Sequence, residues 1–69
     1  MQIVDTRGLS CPQPVIETKK VIDTKETELQ VLVDTIAAKE NVSRFATAMK
    51  YDVSVTETSY GWKLDLQKQ

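Results

Sequence analysis

A chain of 69 residues, 41% apolar and 28% charged, holds one compact domain (residues 1–69) near the lower size limit for folding without staples, and a second domain does not fit. Nine Lys and Arg against ten Asp and Glu give a net charge of -1, without the basic excess that marks nucleic-acid binders. With one cysteine and no histidine the chain cannot close an internal disulfide or present a zinc or iron-sulfur spacing, so no metal and no cofactor is expected. No basic-then-apolar leader and no run of apolar residues long enough to span a membrane occurs, and a lone free thiol suits a reducing cytoplasm.

In chain order, Gln2 to Asp5 is a short strand, and Thr6-Arg7-Gly8-Leu9-Ser10 is a loop whose glycine permits a sharp reversal. Pro12 at the first helical position and Pro14 two residues on open a helix, since a missing N–H costs nothing in that turn and a fixed φ favours entry. Val15, Thr18 and Ile22, flanked by Val21, form its apolar face from Pro12 to about Thr24, with Ile16 off the stripe. Its lysines, Lys19 and Lys20 with Lys25 beyond, lie among Glu17, Asp23, Glu26 and Glu28, which reads as a solvated mixed-charge face rather than a docking patch for an acidic partner.

Leu29 to Val33 is nearly continuous apolar and rich in β-branched residues, as in a central strand, and Asp34 reads as strand-end turn chemistry. Asn41 is the expected N-cap of a second helix in which Val42, Phe45, Ala46 and Met49 repeat at i, i+3, i+4 and i+7, with Ile36 to Lys39 as an extra preceding turn. Asp52 to Thr58 alternates, Ser59-Tyr60-Gly61 supplies a turn, and Trp62, Leu64 and Leu66 alternate again, so the chain ends in a β-hairpin. The order β-α-β-α-β-β predicts a two-layer α/β (α+β) sandwich with both helices on one face of a four-stranded mixed sheet.

Chemistry centres on Cys11, the only cysteine, in Gly8-Leu9-Ser10-Cys11-Pro12-Gln13-Pro14. As helix N-cap it would meet the positive end of the macrodipole, which favours thiolate, and the prolines leave mainly the N–H groups of Gln13 and Val15 as donors. Arg7 is a candidate nearby positive charge, and Asp5 a loop-capping aspartate, buried by the commoner use of that residue, or a carboxylate near the thiol. The bland alternative, a small buried hydrophobe, fits poorly with two prolines and a loop framing the residue. A cysteine hydrolase needs a histidine or similar base, and a thioredoxin-type oxidoreductase needs a resolving cysteine. One reactive sulfur with no helper fits a carrier whose difficult chemistry stays on its partners, rather than a self-sufficient enzyme.

The run Val4-Asp5-Thr6-Arg7-Gly8-Leu9-Ser10-Cys11-Pro12-Gln13-Pro14-Val15 resembles the signature of the TusA (SirA-like) sulfur-carrier family, and length and element order agree. The resemblance implies that Cys11 carries a persulfide, that Pro12 and Pro14 shape the helix start, and that Asp5, Arg7 and Gly8 support the preceding loop. It implies a sulfur-donor protein, a cysteine desulfurase or rhodanese-like protein, and an acceptor protein in sulfur or selenium metabolism. Ala38-Lys39-Glu40-Asn41-Val42 and Tyr51-Asp52-Val53-Ser54-Val55 are closer to the YedF-like branch, whose members continue into a DsrE-like domain, than to the tRNA-thiolation branch. Lys50-Tyr51 stands where many members carry Gly-His, a further departure from the tRNA-thiolation group.

The alternative is a regulatory or binding module in which Cys11 is incidental. Tyr60 and Trp62 could stack on a base, although the alternation of Trp62, Leu64 and Leu66 reads more simply as a core face; Phe45 and Met49 are core by spacing. Direct nucleic-acid or membrane binding is not expected.

Overall fold

The computed structural model describes residues 2–10 and 12–69. Strand β1 (Gln2–Asp5) leads to helix α1 (Gln13–Ile22), then β2 (Glu28–Val33), α2 (Ile36–Ala48), β3 (Tyr51–Glu57) and β4 (Trp62–Lys68). The strands form one sheet in the order β1-β2-β4-β3. β1 pairs parallel with β2, and β4 runs antiparallel to both its neighbours. The crossover through α2 therefore passes over β4 and returns β3 parallel to β1 and β2. This is the predicted two-layer sandwich, with the apolar Leu29 to Val33 run in the interior of the sheet.

Register explains which face carries the core. Val4 stands beside Val31, Leu29 beside Leu66 and Val31 beside Leu64, and all are buried against the helices. α1 covers them with Pro14, Thr18 and Ile22, and α2 with Ala38, Val42 and Ala46. Thr18 is polar and wholly buried, and its hydroxyl donates to the Pro14 carbonyl one turn earlier, so this group is not stranded in the core. The other face of the sheet is polar: Gln30 donates to Asp65 at 2.8 Å across β2 and β4, and Ile3 lies there 61% exposed.

Two helix starts differ from the sequence reading. The N-cap of α1 is Pro12 rather than Cys11, one position later than predicted, with Gln13 at the first helical position and Pro14 at the second. The ring of Pro12 cannot supply a capping oxygen, and no side chain caps this end. α2 begins at Ile36, not near Asn41, because the Thr35 hydroxyl accepts the Ala38 N–H at 3.1 Å. The Val42, Phe45, Ala46 spacing is the stronger local signal and favours a cap at Asn41, whereas the Thr35 cap precedes the weaker Ile36-Ala37-Ala38 turn. Met49, expected in the core, is exposed at the helix C-cap, where the chain leaves the packed layer. The lysines of α1 are solvated as predicted, Lys19 on Asp23 at 2.6 Å and Lys20 on Glu17 at 3.3 Å. Among the described residues no helix is long and apolar enough to cross a membrane.

Candidate functional site

The loop from β1 to α1 leaves the sheet at the carboxyl end of the parallel strands, where the ends of β2 and the β3-β4 hairpin also lie. Thr6 anchors it: its N–H and its hydroxyl both donate to the Leu32 carbonyl, at 3.0 and 2.7 Å, and its side chain is buried. The chain then reverses. Leu9 donates its N–H to the Thr6 carbonyl, and Gly8 takes φ +81°, the value required at the third position of a type II turn. A side chain at Gly8 would meet no atom within 4 Å, so the glycine serves conformation rather than space.

Two carboxylates and an aromatic ring fix this turn from outside. Asp5 accepts from the Arg7 backbone N–H and from the guanidinium at two oxygens, at 3.1, 2.9 and 2.7 Å. The side-chain hydrogen bonds from Arg7, then its backbone N–H, hold the Asp5 carboxyl down at about 2, and the same pairing pushes the guanidinium pKa up. Arg7 also lies over the Tyr60 ring, 4.6 Å from its centroid. Asp34, at the end of β2, accepts the Gly8 N–H at 2.8 Å. Asp5 is therefore a loop-capping residue as expected but an exposed one, and the charge of Arg7 is committed to a carboxylate and a ring.

Cys11 lies outside the described residues, so its predicted pKa and its alternative as a buried hydrophobe concern a side chain the structure does not describe. Its sequence neighbours are described. Arg7, Gly8, Leu9, Ser10 and Pro12 are all exposed, while Pro14 is buried as the first core residue of α1. The donors expected to face the sulfur are occupied: Gln13 donates its N–H to the Ser10 carbonyl at 2.8 Å and Val15 to the Pro12 carbonyl at 3.1 Å. Only the helix dipole is left of that reading. Its positive end carries no acidic residue in the first turn, and Glu17, one turn on, accepts from Gln13 and then Lys20, which lower its pKa.

A cavity of about 460 Å³ sits at the opposite end of the sheet, between Ile22, Met49, Tyr51 and Lys68. The described residues of the loop, Arg7 to Ser10 and Pro12, are exposed and lie away from that cavity, a setting suited to contact with another macromolecule.

The model of the family described as Sulfurtransferase TusA matches residues 2–68. The chain belongs to the TusA family. A relative named Putative sulfur carrier protein MJ0990, from Methanocaldococcus jannaschii, is 39% identical over 59 residues, covering 83% of this chain and 79% of its own. The crystal structure of a SirA-like protein from Desulfitobacterium hafniense superposes with a TM-score of 0.86 at 30% identity, over 97% of this chain and 96% of the other. The fold brings Asp5, Arg7 and Gly8 together in the turn before α1, whose N-cap is Pro12 and whose second residue is Pro14. It adds Asp34, which the sequence assigned to strand-end turn chemistry, and Tyr60, which it assigned to the hairpin turn or to a stacking surface. Asp34 was visible as a polar residue ending an apolar strand, but nothing local links it to Gly8, 26 residues away.

Proposed function

We propose that this TusA-family protein, as one carrier domain, accepts a sulfur atom on Cys11 as a persulfide and passes it to a second protein. The Cys11 thiolate attacks the outer sulfur of a donor protein's persulfide; a sulfur-sulfur bond forms to Cys11, the donor's own breaks, and the donor leaves as a thiolate. The acceptor's thiolate then attacks the outer sulfur on Cys11 and releases the Cys11 thiolate. Each step exchanges one sulfur-sulfur bond for another, so the pair needs no external oxidant, reductant or metal. Asp5, Arg7, Gly8, Pro12 and Pro14 hold the loop and open the helix, and the donor and acceptor are proteins of a reducing cytoplasm.

The observation that carries this reading is the exposed run on both sides of Cys11, anchored through Thr6, Asp34 and Tyr60. An anchored but open loop lets a partner's sulfur approach without a conformational search. The alternative of base stacking is disfavoured, since Tyr60 lies beneath Arg7 and Trp62 beneath Lys39 at 4.8 Å.

Intact-mass spectrometry after incubation with a cysteine desulfurase and cysteine tests the proposal. The wild type is expected to gain one sulfur atom, removed by reductant, and Cys11→Ser to gain none. No gain from several desulfurases and other persulfide donors, with the protein folded and Cys11 open to alkylation, overturns it and favours the binding module.

A further inference from the structure

The outer edge of β3 is an open hydrogen-bonding surface. Continuing the β3-β4 register past its ends, Thr58 donates its N–H to the Gly61 carbonyl at 2.8 Å and Gln69 donates to the Lys50 carbonyl at 3.0 Å. In an antiparallel ladder hydrogen-bonded pairs alternate, so the even-numbered residues Asp52, Ser54 and Thr56 spend their backbone groups on β4. Lys68 supports the phase independently, since its N–H donates the other way, to Thr27 beside β2. Tyr51, Val53, Val55 and Glu57 therefore aim N–H and C=O outward, away from the sheet.

Proteins blunt such edges with brevity, proline, lysine or a bulge. The opposite edge, β1, is four residues long. β3 is seven residues long, Tyr-Asp-Val-Ser-Val-Thr-Glu, without proline or lysine, and pairs one-to-one with β4 along its length without a bulge. Val55, on the helix-side face in register with Leu64, is 47% exposed there because the helices do not reach over it.

We propose that β3 is a self-association edge that pairs antiparallel with β3 of a second copy about a two-fold axis through Ser54. The outward residues fit this register: Val53 lies opposite Val55 of the second copy, and Tyr51 opposite Glu57. Two valine pairs then bury the exposed Val55 on the helix-side face. Asp52 lies opposite Thr56, so no two carboxylates oppose each other, and the low net charge adds little repulsion. The two sheets become continuous with all helices on one side, and the Cys11 loop, which leaves from β1 at the far edge, remains open on both copies.

A single edge pairing gives a small interface, so association falls in the weak range, with a Kd of roughly 0.1 to 1 mM. Sedimentation of the full chain from about 20 μM to about 2 mM is expected to move from the monomer mass of 7.8 kDa toward twice that value. Val55→Lys, which places a charge against Val53 of the second copy, is expected to weaken association about tenfold or more. Ile3→Lys, beyond β2, is expected to leave it unchanged. Amide hydrogen exchange supplies a readout that needs no variant: protection at Tyr51, Val53 and Val55 rises with concentration, while Asp52, Ser54 and Thr56 are protected throughout. A mass that stays monomeric to about 2 mM, association indifferent to Val55→Lys, or concentration-dependent protection elsewhere overturns the proposal.

Discussion

Gly61→Ala is expected to be far more damaging than Gly8→Ala, although both glycines have positive φ in loops at the same end of the sheet. A Cβ at Gly61 would stand 2.4 Å from the Val33 carbonyl oxygen and 2.7 Å from the Asp34 Cα, against an ordinary contact of 3.4 Å or more, so the hairpin and β2 must part by about 1 Å. Both atoms are backbone, and no side chain can rotate away. Overpacking of this kind costs about 1–3 kcal/mol, and holding an L-residue at φ +150° adds about 1–3 kcal/mol. The sum, about 2–6 kcal/mol, is a large share of the roughly 3–10 kcal/mol expected for a domain of this length. Gly8→Ala meets only the left-handed φ, a cost of about 1 kcal/mol, because its Cβ would point into open space. Urea denaturation of the two variants, with unchanged m-values, measures the difference. Equal losses, or a Gly61→Ala loss under about 1 kcal/mol, would refute the close-approach reasoning. Because the strain falls on Val33 and Asp34, the Gly8 amide resonance should also move in Gly61→Ala, through the Asp34 carboxylate that accepts from it.

Thr35→Ala removes the hydroxyl that accepts the Ala38 N–H and is expected to cost about 1 kcal/mol, whereas Thr35→Ser should recover most of it; denaturation midpoints decide, and no loss in the alanine variant would mean that α2 does not start on this cap. The Asp5 carboxyl should titrate near 2 by NMR, and should rise toward its ordinary value in Arg7→Leu, which removes the guanidinium but keeps the backbone N–H donor. Since its folded pKa lies below the unfolded value near 3.9, the Asp5–Arg7 contribution is fully present above that value and is lost as pH falls from about 4 toward 2. A midpoint in the ordinary carboxylate range for the wild type would show that the pair does not persist in solution.

Several features were legible because they are local. Hydrophobic period 2 or 3.6 depends on neighbouring residues alone, and it located both helices and all four strands; prolines at a helix start and a glycine in a reversal carry their conformations with them. The run from Val4 to Val15 therefore gave the loop, the helix and the family resemblance together. Sequence and structure differ where two local signals compete. Thr35 and Asn41 are both good caps, and the Thr35 cap on the Ala38 N–H, with Ala38 buried in the core, starts α2 at Ile36.

What tertiary structure alone decided is the company each polar group keeps. Gln13 and Val15 looked like free donors, yet nearby carbonyls take them; Arg7 looked like a spare charge, yet Asp5 and the Tyr60 ring claim it. Asp34 meets Gly8, and Gly61 presses on Val33, only because β2 lies between β1 and β4 in the sheet. Periodicity fixes which side of a strand or helix is apolar, since that follows from the backbone repeat. Strand order and contacts between distant residues follow from the chain crossing over itself, and no stretch of sequence records its neighbour across that crossing.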